Sequence, residues 1–204
     1  MVRLGLLVFG LMAGRPSGLY AQGNSGPVYV LGTSGGSALV STSTGLDPRG
    51  LSGLPSWEFA FGFATDEELA PGMFNDSFTV SLQSLDVPGQ VAVYFVVDRS
   101  GLVIGPPTPG GIPLDPALIS VTPVAFPDGL TGLTHRTAFH VLTPVPEPLS
   151  NQRLNVYFDL FDNGNGVNSL AWASAVTVIP EPQTGVLLLL SLALGAAFAK
   201  RIRR

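Results

Sequence analysis

The sequence predicts an all-β fold: an antiparallel sandwich of jelly-roll type, followed by a short C-terminal transmembrane helix. Three observations lead there. Glycine and proline, 25 and 18 of 204 residues, punctuate the chain at intervals too short for helices but suited to strands. The segments between them are β-branched or aromatic, and several alternate apolar with polar side chains, the period-two pattern of a half-buried sheet. Finally, no segment before residue 180 carries a helical period.

The elements follow in chain order. Residues 28–31 suit a short strand, and Gly32-Thr33-Ser34-Gly35-Gly36 fits the G-x-S-x-G pattern of a nucleophile elbow. An elbow needs a helix immediately after it, whereas residues 37–45 are rich in serine and threonine and break at glycine, so an ordinary turn is expected. Residues 57–64 place Phe59, Phe61 and Phe63 on one face and small or charged residues on the other. Residues 77–85 repeat that alternation with Phe78, Val80 and Leu82. Residues 91–97 are apolar on both faces and belong in the middle of a sheet, and Asp98-Arg99-Ser100-Gly101 turns the chain into residues 102–104. Residues 106–127 are too dense in proline and glycine for regular structure beyond one edge strand near 118–121. Strands resume at 137–142, 154–160 and 171–178, with Asn163-Gly164-Asn165-Gly166 as a hairpin-like loop between the last two. That makes eight or nine strands, with Phe59, Phe61, Phe63, Phe78, Phe95, Phe158 and Trp172 as core candidates.

The two ends carry addresses. Arg3 followed by the apolar stretch 4–13 reads as a signal peptide for the Sec export machinery, leaving after Ala21. At the other end Pro180-Glu181-Pro182 precedes an apolar run, 185–199, and then Lys200, Arg201, Arg203 and Arg204. The run is expected to enter a bilayer and the basic cluster to stay cytoplasmic as a topology signal. A fifteen-residue helix reaches about 22 Å, short of a hydrocarbon core of about 30 Å, which suits a segment held briefly and then cut. The chain supplies its own control: Pro146-Glu147-Pro148 is the same triplet with no apolar run after it.

This tripartite tail, residues 179–204, resembles the PEP-CTERM sorting signal of Gram-negative bacteria. The resemblance implies recognition and processing by an exosortase-type membrane protease, with insertion in the inner membrane before processing and delivery to the cell surface or extracellular matrix. More loosely, residues 57–67 followed by 75–80 resemble the sandwich domains found upstream of such tails. The expected organisation is a signal peptide 1–21, a sandwich domain 22–179 and a sorting tail 180–204.

Charge separates these parts. Arg3, Arg15, Lys200, Arg201, Arg203 and Arg204 lie in the end segments, leaving Arg49, Arg99, Arg136 and Arg153 in 22–179 against thirteen acids, a net charge of −9. A nucleic-acid binder needs a basic face, which this body lacks. The chain has no cysteine, which removes thiolate catalysis and thiolate metal sites.

Few residues suggest chemistry. His135 and His140, five apart, fall on opposite faces of a strand and do not form a pair. Asp159, Asp162, Asn163, Asn165 and Asn168 offer the oxygen ligands that calcium takes, and Asp66, Glu67 and Glu68 could join them. The spacing is not that of an EF-hand, and Asn-Gly repeats also simply make turns. The expectation is a surface or extracellular-matrix protein without catalytic activity and with no cofactor other than this candidate calcium, associated with extracellular polysaccharide. The alternative is a carbohydrate-binding sandwich using Trp57, Trp172, Tyr94 or Tyr157 as stacking platforms. A third reading, a hydrolase, needs two convergent carboxylates in a cleft.

Overall fold

The computed structural model describes residues 27–34, 36, 38–51, 53–68 and 75–179. The signal segment 1–21 and the tail 180–204, with Pro180, Glu181, Pro182, Lys200, Arg201, Arg203 and Arg204, lie outside them. Among the described residues no helix is long and apolar enough to cross a membrane.

Eleven strands run in chain order: β1 (Tyr29–Gly32), β2 (Ala38–Leu46), β3 (Ser56–Thr65), β4 (Ser77–Ser84), β5 (Val91–Asp98), β6 (Gly101–Ile104), β7 (Ser120–Pro123), β8 (His135–Pro144), β9 (Leu154–Asp162), β10 (Ser169–Ala173) and β11 (Thr177–Ile179). They form two antiparallel sheets packed face to face. Sheet A has the order β1-β10-β3-β8-β7, with β11 also paired to β3, and sheet B the order β2-β9-β4-β5-β6.

Alternation decides what faces inward. On β3 the odd residues Trp57, Phe59, Phe61 and Phe63 enter the core, and on β9 the even residues Leu154, Val156, Phe158 and Leu160 meet them. All seven core candidates are buried. Phe61 stands at the centre, its ring 5.4 to 5.8 Å from those of Phe59, Phe78, Phe95 and Phe139. Such contacts add roughly 0.5–1.5 kcal/mol per pair to the burial of each ring. On β5 the register against β4 shifts between Val80 and Ser81, so Tyr94 and Phe95 are both buried although adjacent. That bulge accounts for a strand apolar on both faces. Trp172, by contrast, lies in a second, smaller cluster with Ala60 and Ala138, covered by Phe126 and Leu130. Gly62 is needed beneath it, since a Cβ there would stand 2.2 Å from Trp172 Nε1. The loop carrying Phe126 therefore acts as a cover for Trp172.

Three expectations are corrected. Residues 38–46 are a strand, not a turn: β2 pairs along its whole length with β9, and its hydroxyl-rich residues 41 and 43 are exposed as an edge strand permits. Residues 171–178 do not make one strand. Ser174 interrupts it, its Oγ accepting from Ala60 N at 2.8 Å while its own N–H donates to Ala60 O at 2.8 Å. The Asn-Gly loop is not hairpin-like, because β9 belongs to sheet B and β10 to sheet A. A type I′ turn needs positive φ at two successive residues, whereas here only Gly164 and Gly166 have it, at 81° and 83°.

The Asp98 turn holds as expected, its carboxylate accepting from Ser100 N at 2.7 Å and Gly101 N at 3.2 Å. The internal Pro146-Glu147-Pro148 triplet leads into a 3-10 turn, Glu147–Leu149, that buries Leu149 completely. Its role is packing.

Candidate functional site

Strand polarity brings four inward-facing positions to one end of the sandwich. Sheet A ends there with Thr65 and begins β10 with Ser169, which are register partners. Sheet B begins β4 at Ser77 opposite Phe161, so the preceding Asp76 stands opposite Asp162 on the inner face. Where Phe and Leu occupy equivalent positions along the sheets, two carboxylates and two hydroxyls occupy this end. Asp76 and Asp162 are both 0% exposed, and Glu67, just past β3, is 4% exposed.

Hydrogen bonds tie the group together. Ser169 Oγ lies 2.7 Å from Asp76 Oδ2 and 2.8 Å from Thr65 Oγ1. Asn163 N donates to Asp76 Oδ1 at 2.9 Å. Glu67 Oε2 accepts from Asp76 N at 2.8 Å, and its Oε1 accepts from Asn163 Nδ2 at 3.0 Å and Asn165 Nδ2 at 2.5 Å. Asp162 Oδ1 accepts from Gly164 N at 2.8 Å, while its Oδ2 is buried with no hydrogen-bond partner. The loop beyond β9 coils through successive side-chain-to-backbone turns, with Asn163 Oδ1 accepting from Asn165 N and Asn165 Oδ1 from Val167 N, both at 2.9 Å.

Burial raises the Glu67 pKa above its ordinary value; the Asp76 amide opposes this, the Asp76 charge adds to it, and the two asparagine amides oppose it. The ion pairs among the described residues are Arg49 with Asp47, His140 with Glu58 and Arg153 with Asp86. None touches this cluster. Each carboxylate is aimed at its own donors, and among the described residues no three His, Cys, Asp or Glu side chains converge as a metal group.

Of the residues singled out in the sequence, Asp162, Asn163 and Asn165 are brought together, and Glu67 joins them. Asp159 does not: odd-numbered on β9, it lies on the outer face between Ser41 and Thr79, opposite to Asp162. Asn168 is exposed. Asp66 turns away to accept from Thr134 N and Oγ1, both at 2.6 Å, and those bonds lower its pKa. Glu68 is exposed. Asp76 was missed. Its signal was its parity with Phe78 and Val80, an acid one step beyond an inward-facing apolar stripe.

The remaining candidates are dispersed. Gly32 ends β1 and the next element is the strand β2, so the G-x-S-x-G pattern has no elbow helix. His140 reaches Glu58 at 2.7 Å across sheet A, a partner 82 residues away that no local spacing reveals. Trp57, Trp172 and Tyr94 are buried. Tyr157 instead lies on the outer face of β9, between Ser43 and Ser81, two residues from Asp159 and four from Phe161, which is 42% exposed. A shallow groove of ≈ 270 Å³ between residues 112–119 and 143–148 lies at the other end of the sandwich.

No family model, no curated protein and no solved structure matches the chain.

Proposed function

We propose that this is an exported, non-catalytic protein of the cell surface or extracellular matrix, delivered by its tail and associated with extracellular polysaccharide. The observation that carries the reading is the order of parts at the C-terminus. The last strand, β11, closes against β3 at Ile179, and Pro180-Glu181-Pro182, the apolar run 185–199 and the basic cluster 200–204 follow directly. In this reading the Sec machinery exports the chain, the apolar run holds it in the inner membrane with Lys200, Arg201, Arg203 and Arg204 inside, and an exosortase-type protease removes the tail of a PEP-CTERM-like substrate. The sandwich is of jelly-roll type, and its acidity keeps it soluble and away from nucleic acid. Mass spectrometry of the mature protein from an exosortase-bearing Gram-negative host tests this: a C-terminus upstream of residue 187 is expected, and an intact chain ending at Arg204 would overturn it.

A second reading, a carbohydrate-binding sandwich, is favoured by one observation: Tyr157, Asp159 and Phe161 share the outer face of β9 amid Ser41, Ser43, Thr79 and Ser81. Rings that stack on sugar faces beside hydroxyl and carboxylate partners are what such a face would use. A glycan array separates the two readings, with uniform silence favouring the first.

A further inference from the structure

The loops at the two ends of the sandwich expose different chemistry. At the end where β4 and β10 begin, loops 66–68, 98–101 and 162–168 expose Asp66, Glu68, Ser100, Asn165 and Asn168 and no large hydrophobic side chain. At the other end, the connections that enter β3 and β7 and leave β4 expose leucine and valine instead: Leu54 is 44% exposed, Leu85 51%, Val87 40% and Leu118 62%. Single apolar side chains on a surface need no explanation, but these four come from both sheets to one end, beside the groove walled by Ile112, Leu114 and Ile119. Two acids there, Asp47 and Asp86, are each paired with an arginine at 2.7 Å, while Asp115 and Glu147 are exposed at the groove. The chain leaves the fold at this same end. Ile179, the last residue of β11, pairs with Ser56, and Ser56 pairs on its other side with Pro144, a wall of the groove. Only residues 180–184 separate Ile179 from the apolar run 185–199, and fully extended they reach at most about 18 Å. The headgroup layer of one leaflet is itself roughly 5–8 Å thick.

We propose that this end of the sandwich is seated on the phospholipid surface, with Leu54, Leu85, Val87 and Leu118 in the headgroup zone. The inference rests on the proposed insertion of the tail. With the run 185–199 in the bilayer, the linker holds the exit at Ile179 within about 18 Å of the hydrocarbon. A strand of ten residues such as β3 spans about 33 Å, so an inverted body is excluded. Between an upright body and one lying on its side, the side chains decide: upright, leucine and valine enter the interface, where burial of apolar surface is favourable. Lying flat, Asp66 and Glu68 would meet the negative potential of anionic lipid. The short apolar run acts in the same direction, because about 22 Å of helix falls about 8 Å short of the hydrocarbon core and its upstream flank is drawn toward the surface. Seated so, the body would hold residues 180–184 in the headgroup zone, within reach of a membrane-embedded protease.

The chain has no cysteine, so Leu118→Cys, Val87→Cys and Leu39→Cys each accept a single environment-sensitive NBD label. Leu39 is the control: it is 66% exposed, close to Leu118, and stands opposite Phe161 toward the far end. Each full-length variant is reconstituted in vesicles of phosphatidylethanolamine and phosphatidylglycerol, floated, and read with and without nitroxide-bearing phospholipid. All three should float, and the labels at positions 118 and 87 should emit further to the blue and be quenched by nitroxides lying about 5–10 Å into the headgroup boundary. The label at position 39 should do neither. Flotation with the labels at 118 and 87 as wet as the one at 39, or with all three quenched alike, would overturn the seat and leave the tail reading standing. A blue shift at 118 and 87 without nitroxide quenching would overturn it too, since a second copy of the chain would then cover this end in place of lipid. Failure to float would overturn the tail reading and the seat with it.

Discussion

The two ends of this sandwich solve one problem in opposite ways. At one end Leu46, Trp57, Tyr94, Val145, Leu149 and Leu154 close the core with apolar surface, and the Trp57 and Tyr94 rings meet edge-on at 4.9 Å. One acid at that end, Asp86, sits outside, 2.7 Å from Arg153. At the other end Glu67, Asp76 and Asp162 are buried, and the ion pairs of the described residues include none of them. The contrast teaches that charge is placed here by whether water can reach it: where it can, an arginine is enough, and where it cannot, the carboxylates are held by amides and hydroxyls and still leave one oxygen over.

That contrast can be broken first at the apolar end. Trp57→Ala should cost about 3–5 kcal/mol, read as a lower urea midpoint, because Trp57 is 0% exposed and stacks 4.7 Å from Phe59. The opposite sign is expected at the polar end: Asp162→Asn should gain about 1 kcal/mol or more, since an amide removes one of two facing carboxylates and gives the orphaned position a donor. A loss of stability there would show that the second carboxylate is already satisfied.

A finer probe is a buried hydroxyl at the apolar end. Tyr94 O–H donates to Pro144 O at 2.9 Å, so Tyr94→Phe should cost about 1 kcal/mol, again by urea denaturation. Burial also raises the Tyr94 pKa far above its ordinary value, so this tyrosine should fail to ionise in an alkaline absorbance titration until the fold is lost.

The smallest effect belongs to Asp86. The Arg153 amide and guanidinium lower its pKa from 3.8, so the folded state holds the ionised form more tightly than the unfolded state does. Its contribution is therefore present above about pH 3.8 and disappears as pH falls through the lowered value. Comparing Tm of Asp86→Asn and wild type against pH should show a small difference near neutrality that closes in acid and shrinks in high salt.

Much of the fold was legible because period-two alternation is written locally. Trp57 to Phe63 and Phe78 to Leu82 declare their buried faces residue by residue, and the Asp98 turn needs only its own four residues. β2 was not legible: a run of serine and threonine becomes a strand only because β9 offers it nine register partners. Nor could the sequence tell that Asn163 to Gly166 crosses between sheets, since the same residues suit a hairpin. The candidate site was half legible. Asp162, Asn163 and Asn165 announced themselves by proximity, but Glu67 is 96 residues from Asn163 and Asp76 is 87, and Asp159 was counted in because spacing alone cannot say which face a residue takes until the register is known.

By itself, then, the sequence determined what depends on neighbours a few residues apart: an all-β body, its aromatic core, its acidity and a tail that runs from an apolar stretch into a basic end. The tertiary structure alone decided what depends on partners far along the chain. It closed Asp76 against Asp162, turned Asp159 outward, gave His140 its Glu58 and set Trp172 on Gly62. Such pairings are fixed by strand order and register, which arise from packing two sheets together and leave no mark in any short window of residues.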